Sequence, residues 1–216
     1  MHLELLLFNK PFEVLCQFTD VETTAKSPAG RKTLADFINR PGYYPAGRLD
    51  YNSEGLLILT DNGAMQQRIA SPANKMQKSY WVQVEGTPSP QALTQLSEGV
   101  LLKDGKTLPA QVKLLAEAPT VWNRQPCVAQ HRECNSHWLD IAITEGKNRQ
   151  VRRMCAAVGH PVLRLIRHRI GPWRVDDIAP GQYRVASINL PKQTPAGANK
   201  RTTRHKSKHN RKPITR

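Results

Sequence analysis

Asp50 is the residue whose placement most suggests chemistry. The turn Gly47-Arg48-Leu49-Asp50-Tyr51-Asn52-Ser53-Glu54-Gly55 leads straight into the apolar run Leu56 to Thr60. That run, closed by Asp61-Asn62-Gly63, reads as a strand buried on both faces. A carboxylate beside such a strand is costly unless it is paired or used, and Arg48, two residues earlier, is the nearest partner in sequence. A lone ionised carboxylate can attack a carbon centre or stabilise positive character on one. A capping aspartate in a polar turn is the alternative that does no chemistry.

Two other segments hold residues fit to assist. Lys78 to Glu85 alternates with a period of two, which puts Lys78, Tyr80, Val82 and Val84 on one face of a strand and Ser79, Trp81, Gln83 and Glu85 on the other. Tyr80 is either a half-buried packing residue or a site residue held beside Lys78. Farther on, Asn148 is placed to cap a helix from Arg149 to Val158, closed by Gly159, with Val151, Met154, Cys155 and Val158 as its buried stripe. On that wheel Arg149 and Arg153 point away from the stripe, and Arg152 lies near its edge, where it alone leans toward a buried anion. The other reading leaves all three arginines in solvent.

The remaining elements form the frame. Leu3 to Phe8 and Glu13 to Phe18 read as strands joined by a tight turn at Asn9-Lys10-Pro11, compatible with a hairpin, and Thr19 to Arg31 reads as a mobile polar loop. Short helices are expected over Thr33 to Ile38, with Thr33 as N-cap, and over Ala64 to Ala70. Ser89 and Pro90 open a helix that ends at Glu98 before Gly99. Val100 to Leu102 and Thr107 to Leu115 flank a hairpin turn, residues 119 to 135 form an irregular polar insertion, and Trp138 to Thr144 is a strand. Val162 to Ile170 alternates apolar residues with arginines, a strand whose basic face looks into a groove. Strands dominate without regular βαβ alternation, so the fold class is α+β around a mostly antiparallel sheet.

The chain of 216 residues carries a formal charge of +15. Nine Lys/Arg and no acid lie between Lys192 and Arg216, and eight Lys/Arg and no acid between Lys147 and Arg174. Such zones imply a polyanionic partner, nucleic acid above all, against the alternative of a merely solvated basic surface. No apolar run is long enough for a membrane span and no signal-peptide pattern opens the chain, so a cytoplasmic location without membrane contact is expected. Cys16, Cys127, Cys134 and Cys155 are too few and scattered for a disulfide framework. Cys127, His131, Cys134 and His137 are zinc-ligand types, but without the two separated pairs such sites use. A polar surface loop with no metal is expected there.

The stretch from Gly47 to Gly63 resembles the G-R-L-D-x-x-S-E-G-L-L-I-L-T-x-[DN]-G motif of the RsuA-type ribosomal RNA branch of the pseudouridine synthases. Lys10-Pro11 is similar to that family's first motif, Lys78-Ser79-Tyr80-Trp81-Val82 to its K-x-Y-x-V segment, and Glu145 to Met154 to its third motif. Arg164-Leu165-Ile166-Arg167 and Ile170-Gly171 match as well, and Asp176 to Val185 resembles the family's closing G-x-[YW]-R segment, so the resemblance spans residues 5 to 188 or so. Only nine residues precede Lys10, too few for the S4-type domain that family members usually carry, which narrows the resemblance to the S4-less, E-type large-subunit members.

The resemblance implies a bent sheet with flanking helices and Asp50 in the floor of a central cleft. It implies a cofactor-free isomerisation of a flipped-out uridine, with Asp50 acting at the glycosidic carbon, Tyr80 stacking on the uracil and Arg152 contacting the aspartate. It further assigns RNA contacts to Arg48, Lys78, Lys147, Asn148, Arg149, Arg153, Arg164, Leu165 and Arg167. The expected organisation is a catalytic domain over residues 1 to 190 and a disordered basic tail over 191 to 216, acting as a monomer on RNA, most plausibly of the large ribosomal subunit. Transfer RNA or small-subunit RNA as substrate, a non-catalytic ribosome-assembly protein, and a metal-dependent nuclease are the competing readings. The last would need more carboxylates than Asp50 and Glu54.

Overall fold

Leu3, Leu5, Leu6, Leu7 and Phe8 are too many adjacent apolar residues for a local hairpin to cover. In a computed structural model, which describes residues 2–20, 30–74 and 76–189, distant strands flank them on both sides. The basic tail and most of the expected loop from Thr19 to Arg31 lie outside the described residues.

The elements run in the order β1 (His2–Lys10), a 3-10 turn (Leu34–Asp36), β2 (Tyr44–Pro45), β3 (Glu54–Thr60), α1 (Gly63–Ala70), β4 (Lys78–Glu85) and α2 (Pro90–Glu98). Then follow β5 (Leu101–Leu102), β6 (Gly105–Lys106), β7 (Gln111–Leu114), α3 (Gln130–Glu133), β8 (Ser136–Ile143), α4 (Gln150–Ala157), β9 (Val162–Ile170), β10 (Trp173–Arg174) and β11 (Tyr183–Asn189). Among the described residues the main sheet has the order β11-β1-β3-β9-β4-β8-β7, with β2 on β3 and β10 on β9. Every pairing is antiparallel except β3 with β9, which meet in parallel over Glu54–Ile166 and Gly55–Arg167. The fold is thus α+β around a mostly antiparallel sheet.

That parallel meeting explains the glycine of the motif. Gly55 has φ +100°, and a Cβ there would collide with the carbonyl oxygen of Arg167. The two strands can touch at this point only through a residue without a side chain. All seven residues of β3 are buried, as expected for a strand covered on both faces.

Three apolar clusters fill the faces. One gathers Leu49, Tyr80, Val82, Leu139, Ile141 and Leu165 around Val151, Met154 and Cys155 of α4. Each such side chain contributes about 1.5–3 kcal/mol by leaving water, so the packing that holds α4 also fixes the residue before Asp50 and the ring of Tyr80. The other two clusters lie on opposite faces of β1 and β3, one around Leu5, Leu7, Leu56 and Ile58, the other around Leu6, Phe8, Leu57 and Leu59.

The expected strand Glu13 to Phe18 does not form. Lys10 is fully buried and its ammonium donates to the carbonyls of Pro11 and Val14, both at 2.8 Å, curling this segment around itself. Leu15 then donates to the Lys32 carbonyl and Leu34 to the Gln17 carbonyl, so β1 has no hairpin partner here. The hairpin expected around Lys103 to Lys106 is present as β5 and β6, but β7 leaves it to join the main sheet. The insertion at 119 to 135 is irregular apart from α3.

Candidate active site

A cleft of about 630 Å³ lies where the motif turn, β4, β9 and the segment before α4 converge, and Asp50, Tyr80, Lys78, Arg48, Leu165 and Arg149 are among its lining. The turn from Arg48 to Ser53 that carries Asp50 is not held by a regular ladder. Its carbonyls are taken instead by cations from three distant elements.

Arg167 of β9, 3% exposed, donates through Nε to the Leu56 carbonyl at 2.8 Å and through Nη1 to the Arg48 carbonyl at 3.2 Å. Lys10 of β1 reaches the Tyr51 carbonyl at 3.3 Å. Arg152 of α4 donates through Nη2 to the Asn52 carbonyl at 2.7 Å. On the remaining side the Leu49 amide donates to Cys16 Sγ at 3.2 Å. Asp50 is therefore aimed by its backbone, gripped before and after it.

These buried cations are perturbed in the direction desolvation dictates. Burial brings the Lys10 ammonium down from 10.5 to about 8, with nearby Cys16 and Glu54 opposing the shift. Arg152 falls to about 10 through burial first and the neighbouring Arg149 guanidinium second, with Asp50 opposing. Lys78 is lowered by burial and then by Arg167. Its Nζ keeps a 3.3 Å bond to the Met76 carbonyl.

Around the Asp50 carboxylate the arrangement differs from the helical-wheel expectation. Arg152 does lean inward, with Nε 4.0 Å from Oδ2. Arg149, read as pointing away, comes closer, with Nη1 3.5 Å from the same oxygen and 3.2 Å from Asn52 Oδ1. The wheel failed because Arg149 is not helical. It is the N-cap residue, with left-handed φ 46° and ψ 34°, so the angle of an α-helix does not apply to it. Asn148 lines the cleft but does not cap α4. The segment is tied instead by Gln150, whose Oε1 accepts from the Lys147 amide at 3.0 Å and whose Nε2 donates to Glu145. Glu145 Oε1 also accepts from the Leu108 amide at 2.8 Å.

Tyr80 is 8% exposed and lines the cleft, and its hydroxyl has no hydrogen-bond partner among the described residues. Lys147 also lines the cleft, with its Nζ near the Asp104 and Lys106 carbonyls at 3.5 and 3.4 Å. Arg153 turns outward to a two-pronged pair with Asp104, at 2.7 and 3.1 Å.

The expectation of a basic β9 face open to a groove is corrected for Arg164, whereas Arg167, though 3% exposed, is among the residues lining the cleft. Arg164 is 8% exposed and makes paired 2.9 Å bonds to both oxygens of Glu54, which is 1% exposed. Trp122 of the insertion completes the lock, its Nε1 donating to Glu54 at 2.8 Å while its carbonyl accepts from Arg164 at 2.8 Å. The physical reason is position: β9 is central, flanked by β3 and β4, and from Arg164 to His168 it has no solvent side. Cys127 and Cys134 are exposed, and among the described residues no group of three or more His, Cys, Asp or Glu gathers as a metal set. Nor is any described helix long and apolar enough to cross a membrane.

Lys10 as the clamp of the Asp50 turn, Arg149 as a second cation on Asp50, and the Gln150–Glu145 tether are absent from the assignments made on sequence. For Lys10 the available signal was its neighbour Pro11 within a motif. The other two depend on backbone geometry.

Comparison with known proteins shows the family. The chain is 53% identical over 176 residues to the ribosomal large subunit pseudouridine synthase E of Xanthomonas axonopodis pv. citri, covering 82% of this chain and 90% of that one. It is 48% identical over 181 residues to the protein of the same name from Vibrio parahaemolyticus, covering 84% and 73%. A solved pseudouridylate synthase structure superposes with a TM-score of 0.67 at 28% identity, over 86% of this chain and 70% of that one. Residues 4–157 match the model of the RNA pseudouridylate synthase family, and the chain belongs to that family.

Proposed function

We propose that this protein isomerises a specific uridine of large-subunit ribosomal RNA to pseudouridine, with Asp50 as the catalytic carboxylate. The bond from the ribose carbon to N1 breaks and a bond from the same carbon to C5 forms; C5 gives up its proton and N1 gains one. Asp50 supplies negative charge at the ribose carbon while the base is detached. Tyr80, which lines the same cleft and whose hydroxyl has no partner among the described residues, stacks on the uracil and serves as a proton-transfer group. Arg152 stands by the carboxylate, and Arg48, Lys78, Lys147 and Arg149 at the cleft meet the RNA backbone.

The observation that carries the reading is the seating of Asp50: a half-buried carboxylate in a cleft beside Tyr80 and two guanidiniums, on a turn whose flanking carbonyls are held by Lys10, Arg152 and Arg167. Large-subunit RNA is preferred because the relatives quoted above carry that name. We assign residues 1–190 to catalysis, by one chain in the cytoplasm, and residues 191–216 to an arm that adds affinity at low salt.

The test is release of tritium from carbon-5-labelled uridine in ribosomal RNA, in chelator-treated buffer. The wild type is expected to release it. Asp50→Asn, which deletes one charge and little volume, is expected to lose release while binding RNA at least as tightly as the wild type and keeping its melting temperature. Substantial turnover by that variant would remove Asp50 from the mechanism.

A further inference from the structure

The Asp50 carboxylate accepts no hydrogen bond from any described residue. Its Oδ2 stands between two guanidiniums, 3.5 Å from Arg149 Nη1 and 4.0 Å from Arg152 Nε. Both distances exceed that of a charge-assisted bond, about 2.7–2.9 Å.

The two cations are otherwise unlike. Arg152 is fixed, with Nη2 on the Asn52 carbonyl at 2.7 Å and Nη1 near the Val162 carbonyl at 3.4 Å, and its side chain is 12% exposed. Its Nε is buried without a hydrogen-bond partner among the described residues, and Asp50 Oδ2 is the anion beside it. A buried N–H without an acceptor is unfavourable, and a movement of the carboxylate by about 1 Å would satisfy it. Arg149 has a side chain 44% exposed, a single neutral partner among the described residues in Asn52 Oδ1 at 3.2 Å, and a left-handed backbone. It stands at the cleft, where an entering RNA strand brings phosphates. A phosphate offers a guanidinium two-pronged contact, which it lacks here.

We infer that Arg149 is a positioning residue, holding Asp50 short of Arg152 while the cleft is empty and passing its guanidinium to an RNA phosphate on binding, so that the carboxylate closes on Arg152 Nε. This rests on the proposed function and adds to it a coupling between RNA entry and assembly of the Asp50–Arg152 pair. Coupling of this kind is reciprocal: whatever Arg149 gains from RNA it must first give up at Asp50.

A binding cycle tests it. Affinities of the full-length wild type, Asp50→Asn, Arg149→Ala and the double variant for a short fluorescent oligouridylate are measured by anisotropy at one fixed salt concentration. Asp50→Asn frees Arg149 and is expected to bind roughly five- to tenfold tighter than the wild type, within the usual range of such couplings. In the Arg149→Ala background the same substitution is expected to gain less than twofold, and Arg149→Lys is expected to restore part of the gain. An equal gain in the Arg149→Ala and Arg149 backgrounds would overturn the proposal, since removing the Asp50 charge would then act on RNA directly. So would an RNA-bound structure in which Arg152 Nε stays 4 Å from Asp50. The cycle reads binding alone, so an absence of tritium release would remove the proposed reaction and leave this result standing.

Discussion

The floor of the cleft and its rim are built from the same residue type, and the contrast between them shows what burial does to an arginine. In the floor, Arg152, Arg164 and Arg167 meet backbone carbonyls or a buried carboxylate and are at most 12% exposed in their side chains or 8% as residues. At the rim, Arg149 and Arg153 meet half-exposed partners, Asn52 and Asp104. Floor arginines cannot leave without stranding a group that has no water to turn to. Rim arginines exchange a protein partner for water or phosphate at little cost.

Substitution should separate the two regions. Arg164→Met leaves the Glu54 carboxylate buried without its cation, held by Trp122 Nε1, and is expected to cost about 3–5 kcal/mol in urea unfolding. Arg153→Ala at the rim should leave the unfolding midpoint unchanged, and an equal loss from both would erase the distinction.

Lys10 gives the next effect, through pH. Its folded value of about 8 lies below the 10.5 of an ordinary lysine, so between those two pH values the unfolded chain binds more protons and stability rises with pH. Relative to Lys10→Met, the wild type is expected to gain stability from pH 8 to 10, by at most about 1.4 kcal/mol per pH unit. Below pH 8 the difference should be flat. A wild type that loses stability against Lys10→Met over that window would mean that the three carbonyls outweigh desolvation.

The smallest effect concerns the left-handed residue at the rim. Arg149→Gly relieves the backbone and is expected to be more stable than Arg149→Ala by about 1 kcal/mol in thermal unfolding. No difference between them would mean that this turn relaxes once the arginine is gone.

How much of this was legible in the sequence follows from where each residue's partners lie. Strands β4 and β9 have the bounds that alternation predicts, because period-two patterning is local. The helix from Pro90 to Glu98 was equally plain from Ser89, Pro90 and Gly99. The strand at Glu13 to Phe18 failed because its carbonyl at Val14 was claimed by a buried ammonium, a contact no propensity records. Arg164 of β9 does not face the groove as expected, because its partner, Glu54, lies 110 residues away and reads in the sequence only as part of the motif. That Arg152 leans toward Asp50 was legible in the helical pattern, whereas the approach of Arg149 depended on one positive φ.

The parallel contact of β3 with β9 also sets a clock. The Arg48 and Leu56 carbonyls that bracket Asp50 wait for Arg167, which lies 111 residues beyond Leu56. At synthesis rates of about 5–20 residues per second, the signature turn leaves the ribosome roughly 5–20 s before the residue that shapes it. A nascent chain that stops short of Val162 holds the whole signature and β1, yet lacks the strand and the cation that turn Asp50 into the cleft. Maturation of the cleft is therefore a late event in biogenesis, gated by a long-range closure rather than by the segment that carries the aspartate.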